Sequence, residues 1–455
     1  MFYDKKTIQT TPSSYAYIAE GVLFFRHTKK PALSREWAFL LLCPFSEELI
    51  EGDMNTNRKP IFFDVTLRDG NQALRKPWNT DEKKMVFHKL IELNVNGAEL
   101  GFASASSTDF EACNVLSKIA PESMVVSSLS RAVEREIELS YQAIKSAFRP
   151  RVHIVFPVSK MAIEKVLRID YTTAKEKALN AIRFARKIIS KGTEIQFSGE
   201  HFGDSEDNLD FVIDLFSSAI KEGVNVINLP NTVERTRPFH FTSMIERVIK
   251  ELSSEAVISV HTHNDLGMAT ATTVESYYVG ATQLEVTLNG LGERAGNTNL
   301  YEVACALKNC GEHIDLRMDK FYETAQFISK MTSIPIGEKA PIIGKDIFSH
   351  RSGIHQDGVI KTKKDLKNIY GAFSPEMVGH ENGHSIFFTS QSGGSAIVEI
   401  LIRKNIRISH EDLNSFQSFL KRKSDEQKKS FGESEIFSFY NEYLESRKVY
   451  NTISK

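Results

Sequence analysis

The segment "AVISVHTHNDLGMA" (residues 256–269) contains the pattern that repeats along this chain. An apolar run rich in β-branched residues ends in two histidines, then polar residues and a glycine follow, and a helix-like segment begins. A continuous apolar run of this length is typical of a strand that is buried on both faces, as in a parallel sheet. The segment therefore predicts one strand–loop–helix unit with reactive side chains where the strand ends.

Eight such units, this one included, follow one another between residues 60 and 310. Eight strand–helix pairs of this length predict an α/β fold, a (β/α)8 TIM barrel. The alternative is an open doubly wound sheet, which normally carries a glycine-rich phosphate loop after its first strand, where this chain has "LRDGNQ" (67–72). The predicted strands are residues 61–66, 98–102, 124–129, 152–157, 194–200, 224–230, 256–263 and 283–290, and the predicted helices are residues 81–93, 108–119, 131–146, 172–190, 207–222, 238–251, 268–279 and 299–310.

The composition is that of a soluble globular protein without a strong charge bias. The 455 residues are 41% hydrophobic and carry a net charge of -1, so we expect neither nucleic acid nor an anionic membrane as a main partner. The apolar run at residues 37–45 is too short to span a bilayer, and no targeting segment is evident. Four cysteines without paired spacing indicate reduced thiols in a cytoplasmic protein.

The chain is longer than one domain usually is, and its pattern changes along its length. Residues 59–320 contain the predicted barrel, residues 321–400 the linker subdomains, and residues 401–455 a short charged helical segment that makes up the rest of a C-terminal linker and helical subdomain. Residues 1–58 show no clear period. They are either a genuine N-terminal arm or a stretch upstream of a natural start at Met54, and N-terminal mass spectrometry of the native protein distinguishes the two.

Two histidines and an acid are expected to meet at the mouth of the barrel. Side chains at positions i and i+2 of a strand point the same way, so His261 and His263 reach the mouth together. Asp69 follows the first strand, which neighbours the last strand in a closed barrel. Imidazole, carboxylate and amide oxygen are ligands that divalent metals accept, and Asn297 of the loop "NGLGERAGN" (289–297) adds the amide. An isolated histidine pair would favour ordinary hydrogen-bonded residues, but the acid on a nearby strand favours a metal site.

Other polar residues follow the same ends of the predicted strands. Arg68 stays charged and offers a planar fork of donors, which suits either an oxyanion or a structural ion pair at the rim. In "SGIHQDG" (352–358), His355 lies on the linker, where it is either a general base that is brought over the rim or a surface loop residue. His153, Glu200 and Thr232 lie in or just after the fourth, fifth and sixth strands.

Four motifs in this order resemble the signatures of the 2-isopropylmalate synthase family, whose members are metal-dependent acyltransferases built on a TIM barrel. The resemblance covers roughly residues 60–395. The last motif is similar to that of the condensing synthases rather than the lyases of the same superfamily. The four motifs are "FDVTLRDGNQAL" (63–74), "HTHNDLG" (261–267), "NGLGERAGN" (289–297) and "SGIHQDG" (352–358).

The resemblance implies a role for each of these residues. Asp69, His261, His263 and Asn297 match the ligands of a divalent cation, which is Mn²⁺, Zn²⁺ or Mg²⁺. Arg68 matches the arginine that stabilises an oxyanion, and His355 matches a histidine that acts as a base on acetyl-CoA in the barrel of a partner subunit, so the resemblance implies a homodimer with exchanged linker subdomains. His153, Glu200, Thr232 and Arg131 match residues on the side of the 2-oxo acid, with Glu200 also counted among the catalytic groups.

The implied reaction is a Claisen-type condensation of acetyl-CoA with a 2-oxo acid, 3-methyl-2-oxobutanoate in the leading interpretation. Synthases of citramalate, of homocitrate or of a specialised metabolite are the close alternatives, and a metal-dependent aldolase or lyase is a more distant one. A degenerate barrel that serves as a scaffold is disfavoured because all the matched site residues are present. The chain ends about 60 residues after "SQSGGSA" (390–396), without the regulatory domain of the feedback-controlled members, which leaves inhibition by leucine open.

Overall fold

The computed structural model describes residues 7–11, 14–19, 22–27, 58–252, 256–362, 369–380 and 385–453. The chain divides into two compact units, Met1–Arg58 and Lys59–Lys455. The first unit contains a three-stranded antiparallel sheet in the order β1–β2–β3, where the sequence shows no clear period. Met54 lies outside the described residues. The three strands are β1 Thr7–Thr11, β2 Ser14–Ala19 and β3 Val22–His27.

The second unit begins with eight parallel strands that close into a barrel. They follow one another around the barrel in chain order, and the last of them pairs with the first, which confirms the predicted TIM barrel. Every predicted strand overlaps an observed one. The eight strands are β4 Ile61–Asp64, β5 Gly97–Glu99, β6 Val125–Arg131, β7 Pro150–Pro157, β8 Glu194–Glu200, β9 Val226–Asn231, β10 Val257–Thr262 and β11 Gln283–Val286.

A helix follows each barrel strand, at the predicted positions. The first of them, α1, begins with a capping box in which Asn79 accepts from the backbone N–H of Glu82 and Glu82 accepts from that of Asn79, both at 2.9 Å. The same helix buries Val86, Phe87 and Leu90 at helical spacing. The eight helices are α1 Thr80–Glu92, α2 Ser107–Ile119, α3 Glu134–Ile144, α4 Tyr171–Ile188, α5 Leu209–Lys221, α6 Pro238–Leu252, α7 Ala269–Tyr278 and α8 Leu300–Asn309.

The two faces of a barrel strand meet different surroundings, as β7 illustrates. Val152 and Ile154 belong to the hydrophobic core that includes the surrounding helices. Arg151 and His153 alternate with them and bond to side chains of other barrel strands. Because successive side chains point to opposite faces of a strand, the helices cover the apolar face and the polar face fills the barrel.

The chain beyond the barrel forms a linker and a helical segment. A two-residue parallel pairing joins β12 Ser349–His350 to β13 Ser385–Ile386. The last helices pack around a separate core that includes Phe388, Phe416 and Phe431. One of these helices begins with an N-cap at Ser409, whose hydroxyl accepts from the backbone N–H of Asp412. The helices are α9 Phe321–Thr332, α10 Gly353–Thr362, α11 Gly394–Arg403, α12 His410–Gln427 and α13 Glu433–Ile453.

Two further expectations concern membranes and thiols. Within the described ranges, no helix combines the length and the apolar character that crossing a membrane requires. Cys113, Cys305 and Cys310 are free thiols, and burial raises the pKa of the first two to about 12, so both stay protonated. Cys43 lies outside the described residues.

Gly97 of β5 offers a test of the barrel packing. A Cβ at this position would lie 2.6 Å from the ring of Phe63 and 2.9 Å from the carbonyl oxygen of Val125, an atom that the neighbouring strand holds in place. We therefore expect Gly97→Ala to lower the free energy of unfolding by about 1–3 kcal/mol, measured by urea denaturation. Gly337→Ala is the matched control, because its nearest atom is 4.0 Å away, and it should change stability by less than about 0.5 kcal/mol. Equal stabilities of the two variants would contradict the packing argument.

Candidate functional site

A cavity of about 370 Å³ opens at the carboxyl ends of the barrel strands. Active sites of TIM barrels lie at this end. Most of the residues predicted from the sequence line it together, whereas Asn297 and His355 are not among its lining residues. The predicted residues in its wall are Arg68, Asp69, Arg131, His153, Glu200, Thr232, His261 and His263.

Three of these residues form a buried cluster. Asp69 lies in one turn of π-helix, Thr66–Gly70, that follows β4, while His261 lies on β10 and His263 directly after it. Oδ2 of Asp69 is 3.7 Å from Nε2 of His261 and 3.9 Å from Nε2 of His263, and the two Nε2 atoms are 3.2 Å apart. The donor atoms all lie within 4.8 Å of one another, so they converge on a point where one cation would fit.

The fourth predicted ligand, Asn297, lies beside the cluster. It forms a β-bridge with His263, and its Nδ2 donates to Oδ2 of Asp69. Its Oδ1 is buried and has no hydrogen-bond partner among the described residues. An unpaired buried acceptor is costly, and a cation in the cluster would remove that cost once the amide turned so that Oδ1 replaced Nδ2 beside Asp69. A carboxylate, two imidazoles and an amide oxygen together fit a divalent cation.

The glycines of the loop "GLGERAGN" are needed for this arrangement. A Cβ on Gly292 would lie 2.2 Å from Oδ1 of Asn297. Gly296 has a φ of +96°, and a Cβ there would lie 2.1 Å from the carbonyl oxygen of Gly290. The loop therefore closes tightly around Asn297 because these positions have no side chain.

The protonation states of the cluster suit a cation. Burial disfavours the charged form of Asp69, but Arg68 and the two histidines outweigh it and hold the pKa of this carboxyl below its usual range. Burial and the neighbouring His261 lower the pKa of His263 to about 3, so its imidazole is neutral at physiological pH. An ionised carboxylate and a neutral imidazole are the forms that bind metal.

Glu285 of β11 orients His261. The Nδ1–H of His261 donates to Oε2 of Glu285 at 3.0 Å, which leaves Nε2 as the free nitrogen that faces Asp69. Burial lowers the pKa of His261, but the hydrogen bond to Glu285 and the negative charges of Glu285 and Asp69 together outweigh burial and raise that pKa above its usual value. The carboxylate thus selects the tautomer that a metal ligand requires.

Arg68 is held by two carboxylates. Its Nη1 is 2.6 Å from Oδ1 of Asp69, and its Nε is 2.5 Å from Oε2 of Glu99. Burial opposes the charge of Glu99, but Arg68 and His153 outweigh it and lower the pKa of this carboxyl to about 2. The ion pair that was the alternative interpretation of Arg68 is therefore present, and it also fixes the guanidinium in the wall of the cavity.

The remaining predicted residues lie at different depths in the cavity. His153 is buried, with Nδ1 2.5 Å from Oε1 of Glu99 and Nε2 2.6 Å from Oγ of Ser198. Thr232 is half-buried and accepts from the backbone N–H of His201 at 2.9 Å. Arg131 is exposed, and its Nε donates to Glu136 at 2.9 Å. Glu200 is the half-buried last residue of β8.

His355 lies apart from the cavity in its own chain. The sequence predicts a mobile linker or surface loop, but the residue lies in helix α10, where it is exposed and its ring stacks on Tyr370 at a centroid distance of 4.1 Å. The loop prediction is wrong because "SGIHQDGVIK" has two glycines but still forms a helix, in which Gln356 and Val359 are buried.

Sequence reasoning missed several residues of the site. Glu99 and Glu285 orient Arg68 and His261, and each lies within an apolar strand, which is a usable signal because an unpaired charge is rarely buried. Ser198 and Asn228 line the cavity at inward-facing strand positions, and Asn228 donates to Ser198 at 2.8 Å. Arg294 also lines the cavity and binds Asp265 at 2.7 Å.

Comparisons of sequence find two families along the chain. Residues 59–328 match the HMGL-like family, and residues 342–428 match the homocitrate synthase post-HMGL domain-like family. Solved structures that resemble the chain show the same fold at low sequence identity. Hydroxymethylglutaryl-CoA lyase from Pseudomonas aeruginosa has a TM-score of 0.53 and 17% identity over 63% of this chain and 97% of that one. The lyase from Brucella melitensis has a TM-score of 0.53 and 16% identity over 61% and 99%.

Curated relatives resemble the chain more closely. The 2-isopropylmalate synthase 2 of Leptospira interrogans is 53% identical over 367 residues, which are 81% of this chain and 86% of the relative. The 2-isopropylmalate synthase of Campylobacter hominis is 37% identical over 80% of this chain and 71% of the relative. The chain therefore belongs to the HMGL-like family and, within it, to the 2-isopropylmalate synthase family.

Proposed function

We propose that this protein condenses acetyl-CoA with 3-methyl-2-oxobutanoate, giving 2-isopropylmalate and CoA, the first step of leucine biosynthesis. The observation that carries the proposal is the buried cluster of Asp69, His261 and His263 beside Arg68, in the wall of a cavity at the catalytic end of the barrel. Membership of the 2-isopropylmalate synthase family supports the same reaction.

We further propose that the cluster and Oδ1 of Asn297 hold a divalent cation, one of Mn²⁺, Zn²⁺ or Mg²⁺. The unpaired amide oxygen and the ionised Asp69 support this assignment. When bound, such a cation supplies Lewis acidity toward the keto oxygen of a 2-oxo acid.

The cavity offers both kinds of surface that a branched 2-oxo acid requires. Phe102, Leu129 and Val155 form an apolar part of its wall, which suits the isopropyl group. Thr232 lies on the polar part, where its hydroxyl would donate to the carboxylate end of the substrate. Glu200 lies on the same polar part. His153 of β7 bonds to Glu99 and Ser198 and extends the polar surface toward the barrel interior.

In the proposed reaction, a base removes a methyl proton from acetyl-CoA, and the resulting carbanion forms a carbon–carbon bond to the keto carbon of the substrate. We assign the base to His355, with Glu200 as a second proton-transfer group. Arg68 is always charged and is held in place by Asp69 and Glu99, so it stabilises the negative charge that develops on the former keto oxygen. The former keto oxygen then takes up a proton from the protonated base, and water cleaves the thioester to give a carboxylate and the CoA thiol.

His355 requires a second copy of the chain in this proposal. The residue is exposed on α10 and does not line the cavity of its own barrel. The neighbouring Ile354 is 75% exposed, as expected for a surface that another copy covers. We therefore propose a homodimer in which each linker subdomain delivers His355 to the partner's barrel.

The proposed function is tested by release of CoA thiol from acetyl-CoA with a panel of 2-oxo acids, with and without Mn²⁺. We expect release that depends on metal and is fastest with 3-methyl-2-oxobutanoate, measured with a thiol reagent. Release with pyruvate or 2-oxoglutarate alone would refute this substrate, and no release with any acid would refute the synthase.

Loss of the Asp69 carboxylate should abolish cation binding. Because Asp69 supplies the only anionic donor of the cluster, we expect Asp69→Asn to weaken Mn²⁺ binding by more than about 100-fold, measured by titration calorimetry of the metal-free protein. His201→Asn is the control, since this histidine pairs with Asp204 outside the cluster and its substitution should leave the affinity unchanged. Wild-type affinity in Asp69→Asn would remove this residue from the site.

Loss of His355 should slow the condensation but spare cation binding. We expect His355→Ala to lower kcat by about 100-fold or more while Mn²⁺ affinity stays at the wild-type level. His313→Ala, which removes an exposed histidine paired with Asp315, should leave both unchanged.

Exchange of subunits tests the delivery of His355 between copies. Co-expressed Asp69→Asn and His355→Ala chains should recover activity that neither variant has alone, because one barrel of the mixed dimer combines an intact cluster with an intact His355. No recovery in isolated mixed dimers would contradict the exchange.

A further inference from the structure

The interior of the barrel below the cluster is polar. TIM barrels usually fill this space with branched aliphatic side chains. Here Arg151, Gln196 and Gln283 point inward and are almost completely buried, although none of them lines the cavity. Buried polar side chains require mutual hydrogen bonds, so their partners indicate what they support.

A chain of hydrogen bonds connects these side chains to the cluster. Nη1 of Arg151 donates to Oε1 of Gln196 at 3.2 Å, and Nε2 of Gln196 donates to Oε1 of Glu285 at 2.6 Å. The other oxygen of Glu285 accepts from Nδ1 of His261 at 3.0 Å. Each side chain in the series therefore bonds to the next. The series runs from Arg151, near the end of the barrel where the strands begin, to His261 of the proposed cation site.

Arg151 determines which group donates and which accepts in each hydrogen bond of the series. A guanidinium has donors only, so Arg151 turns the oxygen of the Gln196 amide toward itself and the NH₂ group toward Glu285. Nε2 of Gln283 donates to the same amide oxygen at 3.2 Å and reinforces that orientation. Glu285 can then accept on both sides, from Gln196 and from His261.

Arg151, the first residue of this hydrogen-bonded series, is itself firmly held. Nε and Nη2 of Arg151 donate to Oε2 of Glu194 at 2.8 and 2.6 Å, and Nη1 also donates to Oε1 of Gln283 at 2.7 Å. The guanidinium carbon lies 5.1 Å from the centre of the Phe63 ring. With this many contacts, Arg151 is a fixed point against which the amide of Gln196 is oriented.

We propose that Arg151 and Gln196 are positioning residues for the cation site, and that they act through Glu285 to hold the rotamer and tautomer of His261. The inference rests on the proposed role of His261 as a ligand. Without the donor of Gln196, Oε1 of Glu285 keeps only the hydroxyl of Ser259 at 3.5 Å, a distance too long to hold the carboxylate. His261 would then lose the partner that directs its Nε2 toward Asp69.

The test is Mn²⁺ binding to the metal-free full-length protein by titration calorimetry. Gln196→Met preserves the length of the side chain but removes its hydrogen bonds to Glu285, Arg151 and Gln283 and its 3.4 Å contact with Nε2 of His153. We expect it to weaken Mn²⁺ binding about tenfold, as for other outer partners of ligating histidines. The KM for acetyl-CoA should not change, and kcat at saturating Mn²⁺ should recover to near the wild-type value, because the defect lies in cation affinity.

Gln283→Met is the matched control. Gln283 bonds to Arg151, Gln196 and Ser259 but not to Glu285, so its loss disturbs the same interior and leaves the series from Arg151 to His261 connected. We expect this variant to melt at a lower temperature yet to bind Mn²⁺ within about twofold of the wild type, a change well below the cost of losing an outer partner. Equal weakening in both variants would mean general loosening of the barrel and would overturn the proposal.

Two further outcomes separate this inference from the proposed function. Wild-type Mn²⁺ binding together with unchanged binding in Gln196→Met overturns the positioning role alone. Absence of Mn²⁺ binding in the wild type overturns the cation site and the inference with it. Gln196→Ala is a second variant, which removes the same hydrogen bonds but leaves a cavity where Gln196→Met has a side chain. Circular dichroism melting of each metal-free protein shows which variants fold.

Discussion

The carboxylate of Asp69 stays ionised although it is almost completely buried, and the candidate site depends on that charge. Its main support is Arg68, which Glu99 holds from the other side, and Glu99 in turn contacts His153. Buried ion pairs contribute little to stability, because desolvation offsets their attraction. A series of alternating charges at this depth is therefore better explained by its position in the wall of the cavity than by a role in holding the barrel together.

Closure of the barrel is what makes this arrangement geometrically available. Asp69 and His261 are far apart in the chain, but β11 pairs with both β4 and β10, so the ends of these strands meet. Direct register then places His261 opposite Glu285 on the neighbouring strand. Strand order fixes which residues are neighbours, and the alternation of side chains decides which of them point into the barrel.

The sequence predicts the barrel and the metal-ligand cluster in the cavity wall, because both depend on local pattern. Continuous apolar strands indicate burial, and polar residues just after them fall at one rim, so Asp69, His261 and His263 can be found without a structure. Glu99 and Glu285 could not be assigned in this way, since their roles depend on the register between strands. The helix around His355 was missed for a different reason, because its glycines resemble those of a loop while burial of Gln356 and Val359 stabilises the helix.

Two parts of the cavity contribute to substrate recognition, and they differ in how well they distinguish one 2-oxo acid from another. The cluster and Arg68 would contact the 2-oxo acid group, which every alternative substrate shares. They therefore select 2-oxo acids as a class but do not distinguish one 2-oxo acid from another. In the proposed function, the choice of one 2-oxo acid over another is assigned to the apolar part of the wall, which includes Phe102, Leu129 and Val155. One methylene in an apolar pocket changes binding by only about 1–3 kcal/mol, so small changes in this wall are enough to exchange one 2-oxo acid for another. The polar interior that supports the cluster can therefore stay the same while the substrate changes, because the two surfaces are built from different residues.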